Sequence, residues 1–325
     1  METTEVVADR DPGADLGARP VKLRDYPVVA GPFSHLVAER ERLAALEWRH
    51  FAAAQLSPTI GAEITGLDLT GPLGDDVIAE LRQALHDYKV LFFRDQPLTA
   101  HQHVAFGRRF GDLETHPFIP SNTGEPELVR FEKTAQIGGY ENSWHHDVTW
   151  RTRPSMGAIL HGLTVPPRGG DTLFADMYAA YDGLDDDTKA VIEDLDAEHD
   201  FMPTFGMLVP PDQRDEMRNR YPRVRHPVVC THPATGKRHL YVNRNFVNHL
   251  EDIDPEQSHA LLDRLCRQAD YPEHQCRFRW TPHAVAFWDN RAVQHYAASD
   301  YWPSTRIMER ASIVGDQPSR RAPIN

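Results

Sequence analysis

His145 and Asp147 stand one residue apart in Trp-His-His-Asp-Val-Thr-Trp, residues 144–150, and chemistry is easiest to find at that spacing. Side chains on an extended strand alternate faces, so these two can offer an imidazole nitrogen and a carboxylate oxygen to one ion. A second histidine from elsewhere would complete a two-histidine, one-carboxylate face, a donor set that leaves positions open on a non-haem Fe(II). His146 has the opposite strand parity and is expected to face away, as a packing or surface histidine. The chain holds 18 histidines, and a His-x-Asp pair alone equally describes hydrogen-bonded or solvated side chains. Asp147 narrows the choice, because an unpaired carboxylate inside an apolar strand is too costly and should meet something cationic.

Further motifs follow in order. Gly-Gly-Asp-Thr-Leu-Phe occupies 169–174, Val-Ala-Phe-Trp-Asp-Asn-Arg-Ala-Val-Gln-His-Tyr occupies 285–296, and Arg306-Ile-Met-Glu-Arg310 comes last. Thr172 lies 25 residues after Asp147, His295 lies 123 after Thr172, and Arg306 lies 11 after His295. In order and spacing this resembles the taurine dioxygenase (TauD/TfdA) family of Fe(II)/2-oxoglutarate-dependent dioxygenases, which also contains aryloxyalkanoate-degrading enzymes. The resemblance runs from about Pro58 to Pro318. It implies His145, Asp147 and His295 as iron ligands, and Thr172 with Arg306 on the distal carboxylate of 2-oxoglutarate. It also implies O2 as the second co-substrate, and His116 (of His116-Pro117) with Arg310 on an anionic group of the substrate. Val148 and Trp150, just past the first ligands, are expected beside that substrate, Trp150 as a wall of the pocket. Two positions depart from the taurine enzymes: Glu141 replaces an asparagine near the substrate amine, and Ile119 replaces a tyrosine. Taurine is thereby disfavoured, although Glu141 could meet an ammonium.

Arg306 and Arg310 are four residues apart, so on a strand both point into one interior. A guanidinium grips a carboxylate through paired, charge-assisted hydrogen bonds, and a threonine hydroxyl adds another. Two arginines inside one barrel call for two anions, 2-oxoglutarate and the substrate.

The elements that must position these residues read as mainly β. Strand patterns fall at 61–69, 90–93, 156–163, 171–175, 224–231, 238–243, 275–280, 284–289 and 307–314. Helices are expected from Ser34 to about Phe51, from Asp75 or Asp76 to Tyr88, from a Thr99 cap to about Gly111, over 185–197, and from an Asp254 cap over 255–269. Many strands with few helices suggest a closed or double-sheet architecture. The resemblance sharpens this to a double-stranded β-helix (jelly roll) with N-terminal and inserted helices. Three segments are expected: an N-terminal extension over 1–55, partly disordered with one helix, a single jelly-roll domain over 56–318, and a tail over 319–325. Residues 198–223, broken by Pro203, Gly206, Pro210, Pro211 and Pro222, resemble a lid. Trp144 and Trp288 read as core aromatics, and Asp289-Asn290-Arg291 as a turn before the second ligand strand.

Bulk properties set the outer limits. Thirty-five basic against 48 acidic residues give a formal charge of −13, which disfavours nucleic acid while leaving room for a local basic pocket and a small anionic partner. No apolar run approaches a membrane span, and the acidic N-terminus has no leader pattern. Cys230, Cys266 and Cys276 lack metal or disulfide spacing and read as reduced, structural thiols. A cytoplasmic protein is expected, with a homo-oligomer left open. The function these features point to is hydroxylation of a small anionic molecule (a sulfonate such as taurine, a sulfate ester or a related acid), with succinate and CO2 as co-products. A biosynthetic hydroxylase of a nucleotide or amino-acid-like metabolite is the alternative, and a non-enzymatic metal-binding jelly-roll sensor a distant third.

Overall fold

The computed structural model describes residues 19–23, 26–122, 124–139 and 141–321. Its framework is a seven-stranded sheet ordered Ala52–Gln55, Ala62–Thr65, Val90–Phe93, Val285–Asp289, Ser155–Thr164, Arg306–Val314, Leu128–Lys133. Neighbours are antiparallel except Ala62–Thr65 with Val90–Phe93. A three-stranded sheet of Gln275–Phe278, Thr172–Asp176 and Val293–Ala297 packs against its inner face. The period of two in the sequence builds both layers. Val90, Phe92, Ala158, Leu160, Ala286, Trp288 and Met308 turn inward to meet Phe174, Phe278 and Val293 of the smaller sheet. Leu91, Phe93, Ile159, Val285, Phe287 and Ile313 turn outward against the helices. Arg306 and Arg310 share the parity of Met308, so the strand that packs the core also carries both guanidinium groups inward.

The outer layer is helical. Asp75–Tyr88 buries Ile78, Leu81, Ala84, Leu85 and Tyr88 at three- and four-residue spacing, each large side chain contributing about 1.5–3 kcal/mol. Ala100–Arg108 starts at a complete capping box between Thr99 and Gln102, as expected. Pro255–Cys266 starts at Asp254, whose carboxylate accepts from the Glu256 and Gln257 amides. Among the described residues no helix is long and apolar enough to cross a membrane.

Several boundaries differ from expectation. The first helix spans only Val37–Ala44, after a 3-10 turn at Ser34–Leu36, and Ser34 caps nothing. Beyond it, Glu80 accepts from the Arg49 and His50 amides and holds the imidazole of His50, so tertiary hydrogen bonds unwind what helix periodicity would continue. The expected helix at 185–197 stops at Ile192, because Asp196–His199 is the middle strand of a small sheet between Val224–Pro227 and Val247–Leu250. Residues 224–231 divide between two sheets. Ala52–Gln55, at the end of the stretch set apart as an extension, is the edge strand of the large sheet. The expected disorder of the N-terminus falls mainly on residues outside the described set, after which Arg19–Leu23 pairs with Tyr26–Ala30.

Candidate active site

One cavity of about 130 Å³ opens between the two sheets, and nine of the ten singled-out residues line it. At its floor His145, Asp147 and His295 bring one donor atom each to within 4.8 Å of one another. They do so by a route other than the expected strand. Of the first two, only His145 is extended, in a single antiparallel bridge to His295 on the strand Val293–Ala297, while Asp147 already belongs to a turn. The Asn290 amide grips that turn from both sides: its oxygen accepts from the Asp147 amide at 2.7 Å, and its nitrogen donates to the Asp147 and Ser155 carbonyls. Val148, next in the turn, is held at φ +48°, a conformation costing a β-branched residue about 1–3 kcal/mol. Such strain persists only where surroundings impose it, and here it bends the turn so that Asp147 and Val148 both face the cavity. His146 turns away as expected, fully buried with its ring 4.8 Å from that of Tyr241.

The donor set is prepared for a cation. Nδ1 of His145 lies 2.8 Å from the Ser143 carbonyl, so Nδ1 carries the proton and Nε2 presents a lone pair toward Asp147. Asp147 Oδ2 is buried without a hydrogen-bond partner, 3.8 Å from His295 Nε2. Burial would raise the Asp147 carboxyl, but the Arg310 guanidinium and then the two imidazoles outweigh it and bring it down to about 2. Burial, with His145 adding, lowers His295 to about 3. A carboxylate with an orphaned oxygen and two imidazoles in one pocket fit a divalent metal ion.

Two arginines frame the triad. Arg306 is buried, and its Nε and Nη2 have no acceptor. Its guanidinium sits 5.9 Å from the ring centroids of Trp280 and Tyr301. Thr172 Oγ accepts from Trp280 Nε1 at 2.9 Å, which leaves the hydroxyl proton to be donated elsewhere. The turn before Thr172 needs glycine at 170, where φ is +73° and a Cβ would press on Arg306 Cδ and the Tyr301 ring. Arg310 differs from expectation. Its Nη1 donates to Asp147 Oδ1 at 2.8 Å, so a ligand carboxylate of the chain itself meets this guanidinium. Nearby, His116 Nδ1 accepts from the Phe118 and Ile119 amides, which places the ring proton on Nε2. Burial, then Arg310, lowers His116 to about 3, so it is a neutral donor.

A family model described as "Taurine catabolism dioxygenase TauD, TfdA family" matches residues 52–312. The chain belongs to the TauD/TfdA family. An alkylsulfatase from Acinetobacter baylyi is 34% identical over 81% of the chain and 84% of its own length. An alpha-ketoglutarate-dependent 2,4-dichlorophenoxyacetate dioxygenase from Cupriavidus pinatubonensis is 33% identical over 81% and 98%. The crystal structure of a taurine dioxygenase from Burkholderia xenovorans superposes with a TM-score of 0.72 at 36% identity, covering 83% of this chain and 93% of that one. The jelly-roll class expected from the sequence is thereby met.

In this member of the TauD/TfdA family two further placements need correction. Trp150 does not line the cavity; it is packed one layer behind, among Phe118, Phe201 and Tyr221. Glu141 does line it, but its carboxylate pairs with Lys133 at 2.6 Å, so the chain supplies the cation expected from a substrate amine. Sequence reasoning missed several wall residues. Phe131 and Lys133 come from an unrecognised edge strand, whose parity could have been read beside Arg306 in register with Lys133. Thr204 and Phe205 come from the lid-like segment, and Asn245 and Phe246 from the loop that Thr204 bonds to. Nothing in their sequence context marks these four. Trp288 is both core and wall, its ring 4.9 Å from that of His295.

Proposed function

We propose that the chain is an Fe(II)- and 2-oxoglutarate-dependent dioxygenase that hydroxylates a small anionic substrate carrying an apolar body. The observation that carries this is a buried guanidinium at Arg306, whose Nε and Nη2 lack an acceptor, in the same cavity as an open His145–Asp147–His295 donor set. The reaction converts R–H, 2-oxoglutarate and O2 into R–OH, succinate and CO2. Fe(II) held by His145, Asp147 and His295, with 2-oxoglutarate as the electron donor, supplies the O2 activation that C–H hydroxylation needs.

The remaining work belongs to the chain. Arg306 takes the far carboxylate of 2-oxoglutarate on its two open N–H groups, and Thr172 adds the hydroxyl proton that Trp280 leaves free. His116 donates from neutral Nε2 to the substrate anion, and Arg310 adds charge on the same side. Phe131, Leu160, Phe205, Phe246 and Trp288 wall the space between and keep water from it. That wall, and the pairing of Glu141 with Lys133, favour an alkyl or aryl tail over a zwitterion. Sulfate esters and aryloxy acids suit such a pocket better than taurine. If the oxidised carbon bears the sulfate or aryloxy oxygen, its hydroxylated product collapses and releases that group. The reading carries a cytoplasmic location, supported by three buried free thiols, Cys230, Cys266 and Cys276.

Succinate release measured across alkyl sulfates, aryloxyacetates, sulfonates and taurine tests this. Stimulation by at least one tailed anion above the taurine rate is expected. Binding of metal and 2-oxoglutarate with no stimulated succinate from any of them would sink it in favour of a sensor.

A further inference from the structure

Asp147 and Arg310 divide their polar atoms in a particular way. Asp147 Oδ1 is taken by Arg310 Nη1, and Asp147 Oδ2 is open toward His295. Arg310 spends one edge on Asp147, while its Nε is buried without an acceptor and its face lies 5.0 Å over the Phe131 ring. Both side chains are 7% exposed, so the pair is largely screened from solvent. The partners sit on different elements: Asp147 in the turn gripped by Asn290, Arg310 on a strand paired on both sides, opposite Val129 and Leu160.

We propose that Arg310 is a positioning residue for Asp147, holding it as a one-oxygen metal ligand. A carboxylate on a turn can rotate about its last bond and present either oxygen, both, or neither. A guanidinium fixed by a strand paired on both sides removes that freedom by capping Oδ1, which stands 4.0 Å from His145 Nε2, and leaves Oδ2, 3.8 Å from His295 Nε2, as the oxygen without a partner. Such outer partners set ligand orientation in metal sites, and their loss typically costs about 10–100-fold in metal affinity. The uncapped Nε edge of Arg310 stays available to an anion in the cavity, so the assignment is additional to any substrate role. It rests on the metal reading of the triad.

Charge alone makes the opposite forecast, and this makes the inference testable. A guanidinium beside a dication site is repulsive, so removing it should tighten metal binding if orientation plays no part. Mn(II) affinity is measured by competition with a fluorescent chelator, without 2-oxoglutarate or substrate, on the wild type, Arg310→Ala and Arg310→Lys. The positioning role is expected to give 10–100-fold weaker Mn(II) binding in Arg310→Ala. It also forecasts a clear loss in Arg310→Lys, which keeps the charge but not the planar fork. Melting curves of the metal-free proteins identify a variant that has lost its fold, and the other variant then decides. Unchanged or tighter Mn(II) binding in a folded variant overturns the proposal. His295→Ala separates this from a failure of the metal reading: if it binds Mn(II) as tightly as the wild type, the triad is not the metal site.

Discussion

Arg306 and Arg310 lie on one strand, point into one cavity and are almost equally buried, at 7% and 6% exposure, yet their surroundings are opposite. Arg306 has aromatic rings beside it and two N–H groups without an acceptor. Burial lowers its pKa, with Tyr301 and Glu141 opposing. Arg310 has a carboxylate of its own chain at 2.8 Å. A buried, unsatisfied donor costs about 1–3 kcal/mol, more when charged, and a stable fold keeps such a group where a ligand recovers the loss. The Arg306 end therefore has N–H groups to offer an anion, and the Arg310 end is already part of the chain's own electrostatics. Strand parity makes the two arginines look alike in sequence; only the fold tells them apart.

The comparison breaks most completely at the carboxylate between the two ends. Asp147→Ala should abolish metal binding and substrate-stimulated succinate formation, and it should leave Arg310 buried without its anion. A lower melting temperature for the metal-free variant is thus expected alongside the loss of activity, because unpairing a buried ion pair typically costs about 3–5 kcal/mol. His295→Ala should abolish metal binding with much less destabilisation, since a neutral imidazole leaves no charge behind. Equal melting of the two variants would contradict the ion-pair account. At the Arg306 end, Arg306→Ala should raise the 2-oxoglutarate requirement on the order of 100-fold, two charge-assisted hydrogen bonds being lost. The substrate requirement should move far less. A 2-oxoglutarate titration that stays where the wild type has it would place the anchor elsewhere.

Legibility in the sequence followed the range of the interactions. Strands showed in continuous apolar runs such as Val90–Phe93 and Val285–Asp289, because burial on both faces of a sheet is written locally, whereas the jelly roll itself came with the family resemblance. His145, Asp147, Thr172, His295 and Arg306 reached one cavity, as their order and spacing led us to expect. What stayed hidden was pairing across the fold. Asp147 holds its direction through Asn290, 143 residues away, and its charge is met by Arg310, 163 away. Glu141 points to a substrate amine in the sequence because Lys133 sits on a strand with no strong pattern of its own. Trp150 looks like a wall residue in the sequence because adjacency to ligands does not say which layer a side chain enters once the chain turns.

A smaller effect separates the substrate end from the co-substrate end. His116→Ala should weaken binding of a tailed anion such as an alkyl sulfate by roughly 10-fold, with the 2-oxoglutarate titration unmoved. A histidine that must be protonated to bind an anion loses affinity tenfold per pH unit above its pKa. With burial and Arg310 holding His116 near 3, it is neutral well below physiological pH and donates from Nε2 throughout. Alkyl sulfate affinity should therefore be flat between about pH 6 and 8. A steady fall above pH 6.5 would mean that the imidazolium is the binding form.

The smallest expected effect probes whether the Arg306 end is one unit. Trp280 Nε1 donates to Thr172 Oγ, and the indole ring also stands beside the Arg306 guanidinium. Trp280→Phe keeps most of the ring but removes the N–H, so the Thr172 hydroxyl regains rotational freedom and can point its proton away from the carboxylate. One neutral hydrogen bond contributes about 0.5–1.5 kcal/mol, so a 2- to 10-fold rise in the 2-oxoglutarate requirement is expected, well below the loss from Arg306→Ala. Thr172→Val should cost a similar amount by deleting the donor itself. If Trp280 acts by orienting that hydroxyl, the two changes remove the same interaction and the double variant should be little worse than either alone. Fully additive losses would show that Trp280 serves 2-oxoglutarate through its ring beside Arg306 and not through Thr172.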